Sequence, residues 1–185
     1  MKKGAMFGLD ARITLTIFAA LGLIAFTNFY FVSRQATATQ YYSEADAVGQ
    51  ALKNFKLDTN YQLSVNTNPY YYNIAELITL TQDANKPYTK KYKGPYLDYK
   101  TTADDYIIEN PNNGLQISLV SRSLTNFASG NSENTKCSGD NCFIFIKLYN
   151  VPTSIYDEMA IIGKDIEYKN VSTDLRNVYL PLMAE

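Results

Sequence analysis

No histidine and no tryptophan occur in these 185 residues, and cysteine occurs only twice. Lacking histidine, the chain lacks the side chain that most often serves as general base or metal ligand near neutral pH. The two thiols, Cys137 and Cys142 in KCSGDNCF, fall short of the four ligands a structural zinc site wants, and their spacing is wider than a C-x-x-C redox pair. They read as a disulfide across a tight loop, whose stabilisation is modest because the loop is short, and which suits an oxidising compartment. Neither a Walker loop nor a dinucleotide fingerprint is present, and Asp140 and Asn141 lack the regularly spaced oxygens of a calcium loop. The adjacent acids Asp104-Asp105 and Asp157-Glu158 point apart and read as solvated charge. Neither an enzyme nor a bound cofactor or metal is expected.

A basic excess is also missing. The first 34 residues hold four cations (Lys2, Lys3, Arg12, Arg34) and one anion (Asp10), leaving 13 Lys and Arg against 17 Asp and Glu from Gln35 onward. That balance argues against strong nonspecific nucleic-acid binding, which needs a basic face. In KPYTKKYKGPYLDYK, Lys86, Lys90, Lys91 and Lys93 alternate with Tyr88, Tyr92 and Tyr96, a pattern a single-strand platform could use. A solvated loop around a Gly94-Pro95 turn is the stronger reading. The 16 tyrosines suit strands, core edges and membrane interfaces.

What is abundant is apolar sequence without charge. Ile13 to Ser33, 21 residues bracketed by Arg12 and Arg34, would rise about 31 Å as a helix, enough to cross a hydrocarbon core once. A secretory signal peptide has a shorter apolar core and ends in small residues, whereas this run ends in Asn28-Phe29-Tyr30-Phe31-Val32, an aromatic belt. The alternative cut is at the Ala36 and Ala38 spacing. Beyond the run, Tyr41, Ala45, Val48, Leu52 and Phe55 fall at steps of four and three, one stripe of an amphipathic helix. With no Pro or Gly-rich linker between the halves, a single helix is expected from Asp10 to about Phe55.

The remainder reads as α+β. Leu57 to Pro69 is a polar loop; Asn73 and Glu76 look like a capping box opening a short helix, IAELITLTQ, to about Asp83. DYIIE and LQISLVSRSL flank an Asn113-Gly114 turn, and the alternation of Leu115, Ile117 and Leu119 with Gln116 and Ser118 marks a half-buried strand. Ala128 to Lys136 is a polar excursion. CFIFIKLYNVP is a strong strand, ended by Pro152, which opens the helix TSIYDEMAII closed by Gly163. IEYKNVS and RNVYLPLM complete an antiparallel sheet.

A Lys-Lys-Gly leader, a few apolar residues, one carboxylate and a long apolar helix together resemble the N-terminus of type IV pilins and pseudopilins. KGPYLD resembles the turn pilins carry after the long helix, and the strand, NVP and short helix near the C-terminus resemble type IVb and conjugative-type pilins. Their cysteine pair often pins the last segment, whereas the pair here is local. The resemblance implies residues 1–5 as a prepilin leader, 6–34 as the transmembrane and assembly half of the first helix, 35–56 as its amphipathic half and 57–185 as a pilin-like domain. It implies cleavage on the cytoplasmic side of a bacterial inner membrane. A cut after Ala5 makes Met6 the first mature residue, with a methylated amine, and Asp10 the fifth. A cut after Gly4 keeps the family's glycine and makes Asp10 the sixth. In either case Asp stands where the family has Glu, and Asp10, with Arg12 beside it, is the implied assembly site, meeting the amine of a neighbouring subunit. The implied partners are other pilins in a filament, a prepilin peptidase, an assembly ATPase and a platform protein. Major pilin, minor pilin and secretion pseudopilin all fit. The alternative is a single-span membrane protein whose periplasmic domain binds a ligand or partner.

Overall fold

A computed structural model describes residues 4–65, 71–79, 86–123, 142–163 and 166–182, with the backbone alone for 4–7, 9, 123 and 142. Helix α1 spans Gly4–Thr59, 56 residues, or about 84 Å. It is unbroken where the apolar half meets the amphipathic half, and it passes through Gly22 as regular helix. It runs one turn beyond the expected end at Phe55, because Asn60 takes φ 60° and donates its N–H to the Lys56 carbonyl at 2.8 Å. Asparagine tolerates that left-handed position better than other side chains, so it closes the helix as a glycine would.

Among the described residues six antiparallel strands follow: β1 (Lys100–Thr101), β2 (Ile108–Glu109), β3 (Gln116–Ser123), β4 (Cys142–Pro152), β5 (Glu167–Asn170) and β6 (Leu175–Pro181). They lie in the order β1-β2-β3-β4-β6-β5. A second helix, α2 (Thr153–Ile162), springs from the end of β4. The arrangement is α+β, a long helix packed against a six-stranded antiparallel sheet. Inward side chains Ile117 and Leu119 of β3, Ile146 and Leu148 of β4 and Val178 of β6 meet Ala38, Ala45, Val48, Ala51 and Phe55 of α1 in one core. The expected stripe is therefore the buried one, with Tyr41 and Leu52 at its half-buried margins. Alanines at 38, 45 and 51 leave no bulk between helix and sheet, which lets the two backbones approach.

Where β4 passes Asn150, φ is 53° and the β4–β6 register shifts between Leu148 and Val151. This bulge keeps Val151 inward and delivers Pro152 to the start of α2. The Asn113-Gly114 turn forms as expected, with Gly114 at φ 69° and the Asn113 Oδ1 accepting the Leu115 N–H at 2.9 Å.

Four expectations need correcting. The segment after Asn73 is a 3-10 helix, Ile74–Leu77, and Asn73 makes no side-chain cap. Glu76, instead of closing a capping box, is buried and accepts the Ser64 N–H at 3.2 Å, the Ser64 hydroxyl and the Lys86 ammonium. A carboxylate drawn into that bonded pocket cannot also reach back to the helix start. The lysine and tyrosine segment is only half solvated: Tyr88, Tyr92 and Tyr96 set their rings edge-on to buried Phe55 at centroid distances of 5.5, 6.4 and 5.9 Å. In DYIIE only Ile108 and Glu109 join the ladder. Finally, β3 is covered on both faces, since Ser118 and Val120 are as buried as Ile117 and Leu119, with Val120, Phe145 and Tyr179 forming a second small cluster.

Candidate functional site

The feature that separates this chain from an ordinary α+β domain is the apolar half of α1. Every described side chain from residue 10 to residue 33 is exposed, including Ile13, Leu15, Phe18, Leu23, Phe26 and Phe29. Three threonines in this stretch bond the preceding turn of the helix. Thr14 and Thr16 donate to the carbonyls of Asp10 and Arg12 at 2.8 Å each, and Thr27 donates to that of Ile24 at 2.9 Å. Threonine hydroxyls spent on the preceding turn no longer seek water, so between Ile13 and Thr27 the helix surface is uncharged and mainly apolar. The helix is long and apolar enough to cross a membrane once.

Asp10 and Arg12 are both exposed. Two residues apart, they project on opposite sides of the helix and cannot pair with each other, and neither makes an ion pair among the described residues. Gly4, Ala5 and Met6 form the first backbone positions of α1. Cys137, Asp140 and Asn141 lie outside the described residues, and Cys142 opens β4.

The unbroken run of exposed side chains ends at Arg34. Its Nη2 donates to the Ser154 carbonyl at 2.5 Å and lies 3.5 Å from Glu158 Oε1, and its guanidinium sits 5.6 Å from the Tyr30 ring centre. Glu158, expected as a solvated charge, is 5% exposed and held on the inner face of α2 with Ile155 and Met159. Asp157 does face outward, toward Arg176 at 3.3 Å. Two turns along α1, the Tyr42 hydroxyl donates to the Met159 carbonyl at 3.0 Å, and burial, with the neighbouring Tyr156, pushes its pKa up to about 12. Further along, Glu44 accepts hydrogen bonds from the Tyr99 hydroxyl and the Asn110 amide, tying α1 to the opposite side of the sheet.

Between α1 and the ends of β3, β4 and β6 lies an open cleft of about 860 Å³, lined by Tyr42, Gly49, Leu63, Leu119, Ile144 and Leu182 among others. Among the described residues, no group of three or more His, Cys, Asp or Glu side chains is placed to hold a metal ion. Asp104 and Asp105 are exposed in the loop between β1 and β2. Sequence reasoning missed the Arg34–Glu158 pair. The available signal was the position of Glu158 three residues after Ile155, on the apolar face of an amphipathic helix.

No family model, curated protein or solved structure matches this chain.

Proposed function

We propose that this chain is a pilin-like structural subunit, held in a membrane by α1 and assembled into a filament through that same surface. The observation that supports this best is the union of two things in one unbroken helix: a fully exposed apolar half and a half packed into a folded domain. In a bilayer the apolar half is solvated by lipid. In a filament, copies of it bury one another, and removing apolar area from water is worth about 25 cal/mol per Å². Asp10 then answers the N-terminal ammonium of a neighbour inside a low-dielectric bundle, where an unmatched charge costs about 3 to 5 kcal/mol. A prepilin peptidase, an assembly ATPase and a platform protein are the partners this reading requires.

N-terminal sequencing of the protein recovered from its own membranes tests the assignment. The expected start is Ala5 or Met6, with electron microscopy of sheared surface material showing filaments built of this chain. An intact Met1, or a start near Gln40, rules the filament reading out; an intact Met1 leaves a single-span protein with a membrane-anchored binding domain. Asp10→Ala should leave a folded, membrane-bound subunit that polymerises poorly, whereas Asp10→Glu should assemble. Normal filaments at normal abundance from Asp10→Ala would strip the acid of that role.

A further inference from the structure

We propose that Arg34 is a positioning residue: paired with Glu158, it docks α2 against α1 at the border of the apolar half. An arginine closing an apolar run is ordinarily a headgroup anchor, with its charge spent on lipid phosphates. Here it is spent inward. One nitrogen serves both the Ser154 carbonyl and Glu158, and Nε is buried with no hydrogen-bond partner. The Glu158 side chain is 7% exposed, and a carboxylate that buried needs its cation, because leaving it unpaired costs far more than forming the pair gains. The contact is therefore held whenever the domain is folded.

The sheet is held on α1 by the shared core from Ala38 to Phe55, and α2 is held by two polar contacts. Tyr42 meets Met159 eight residues beyond Arg34, about 12 Å farther along the axis. Two fixed points at that separation set the direction of α2 against α1 as well as its distance. Tyr30, one turn toward the apolar half, stacks under Arg34 and extends the fixed stretch into the apolar half itself. Asp10 precedes Arg34 by 24 residues, six and two-thirds turns, which places it about 120° around the helix from the clamp. Because α1 is one unbroken helix packed into the core, Asp10 has one orientation relative to the sheet.

The inference rests on α1 crossing a bilayer and not on filament formation, so each can fail without the other. It is tested on single full-length chains in lipid nanodiscs, with nitroxide-bearing residues incorporated at Phe26 and Ile161, both exposed, and the distance between them measured by pulsed electron resonance. Unchanged Arg34 and Glu158 should give one narrow distance. Arg34→Gln and Glu158→Gln should each lose it to a broad distribution, while circular dichroism shows the domain still folded. The double variant should be no broader than either single, since the two act through one another. Arg34→Lys should keep the narrow peak, and Asp157→Asn, which alters the neighbouring acid, should leave it unchanged. A narrow peak in both Gln singles, or a double variant broader than each, overturns the proposal, as does a broad peak in Arg34→Lys.

Discussion

Gly163 offers the sharpest test of how closely α1 and α2 are fitted. Its φ of −117° and ψ of 135° suit any residue, so the backbone does not require glycine. Space does. A Cβ built there would stand 1.8 Å from Tyr42 Oη and 2.7 Å from Cζ, so Gly163→Ala must expel the ring tip. Overpacking of this kind costs about 1 to 3 kcal/mol. Losing the Tyr42 to Met159 hydrogen bond adds about 0.5 to 1.5 kcal/mol. Opposing this, alanine lowers the entropy of the unfolded chain, a gain of about 0.4 to 1 kcal/mol. The clash outweighs the gain, and the net expectation is destabilisation of about 0.5 to 4 kcal/mol, or roughly 2 to 4 °C in midpoint for each kcal/mol. Urea unfolding of the full chain in detergent, followed by near-ultraviolet circular dichroism, reads this directly. Tyr42→Phe placed on Gly163→Ala removes the atom at 1.8 Å but leaves the one at 2.7 Å, so part of the loss should return. An alanine variant within about 0.5 kcal/mol of the parent, or a double variant that simply adds the two single losses, would refute the reasoning.

Phe55 is fully buried and carries three tyrosine rings on its edges; Phe55→Ala should cost about 3 to 5 kcal/mol and flatten the near-ultraviolet tyrosine signal, whereas retention of both would mean that the rings pack independently. Alkaline titration should be biphasic. Burial raises Tyr42 and Tyr88 from 10.0 to about 12, so their neutral forms favour the fold fully below pH 10, and that contribution is lost as pH rises toward 12. Absorbance at a phenolate wavelength should therefore show a late class of tyrosines in the folded protein that merges with the rest in urea; one uniform class in both would contradict the burial.

The elements that could be read from sequence were those whose pattern is local and periodic. The stripe Ala45, Val48, Phe55 is a helix face by spacing alone, and the run from Cys142 through Pro152 to Gly163 carries its strand, its break and its cap in consecutive residues. The misreadings share a cause, which is that the deciding partner lies far along the chain. Glu76 three residues after Asn73 satisfies a capping pattern, but Ser64 and Lys86 claim it. Tyr88, Tyr92 and Tyr96 look solvated beside four lysines until Phe55 supplies a ring for them to meet. Ser118 looks like the wet side of a strand, yet it is buried and bonds the Tyr149 hydroxyl at 3.2 Å. Arg34 was legible as the end of an apolar run, but its use was not, because Glu158 stands 124 residues later. Asp10 is the reverse case: its solitary position is plain in the sequence, and the folded monomer gives it no partner among the described residues.

On the membrane-anchored reading proposed above, the two borders of the sheet bear on how copies meet in a bilayer. One border is β1, two residues long; the other is β5, four residues, with Tyr168, Lys169 and Asn170 all exposed. Unpaired strand borders invite a neighbouring chain to add on, and short length and lysine charge are the usual deterrents. Chains confined to a plane at high density meet side by side far more often than in free solution, so an adhesive border would fuse sheets into disordered clusters. On that reading, borders this brief and charged would let lateral encounters end in separation and keep single copies available.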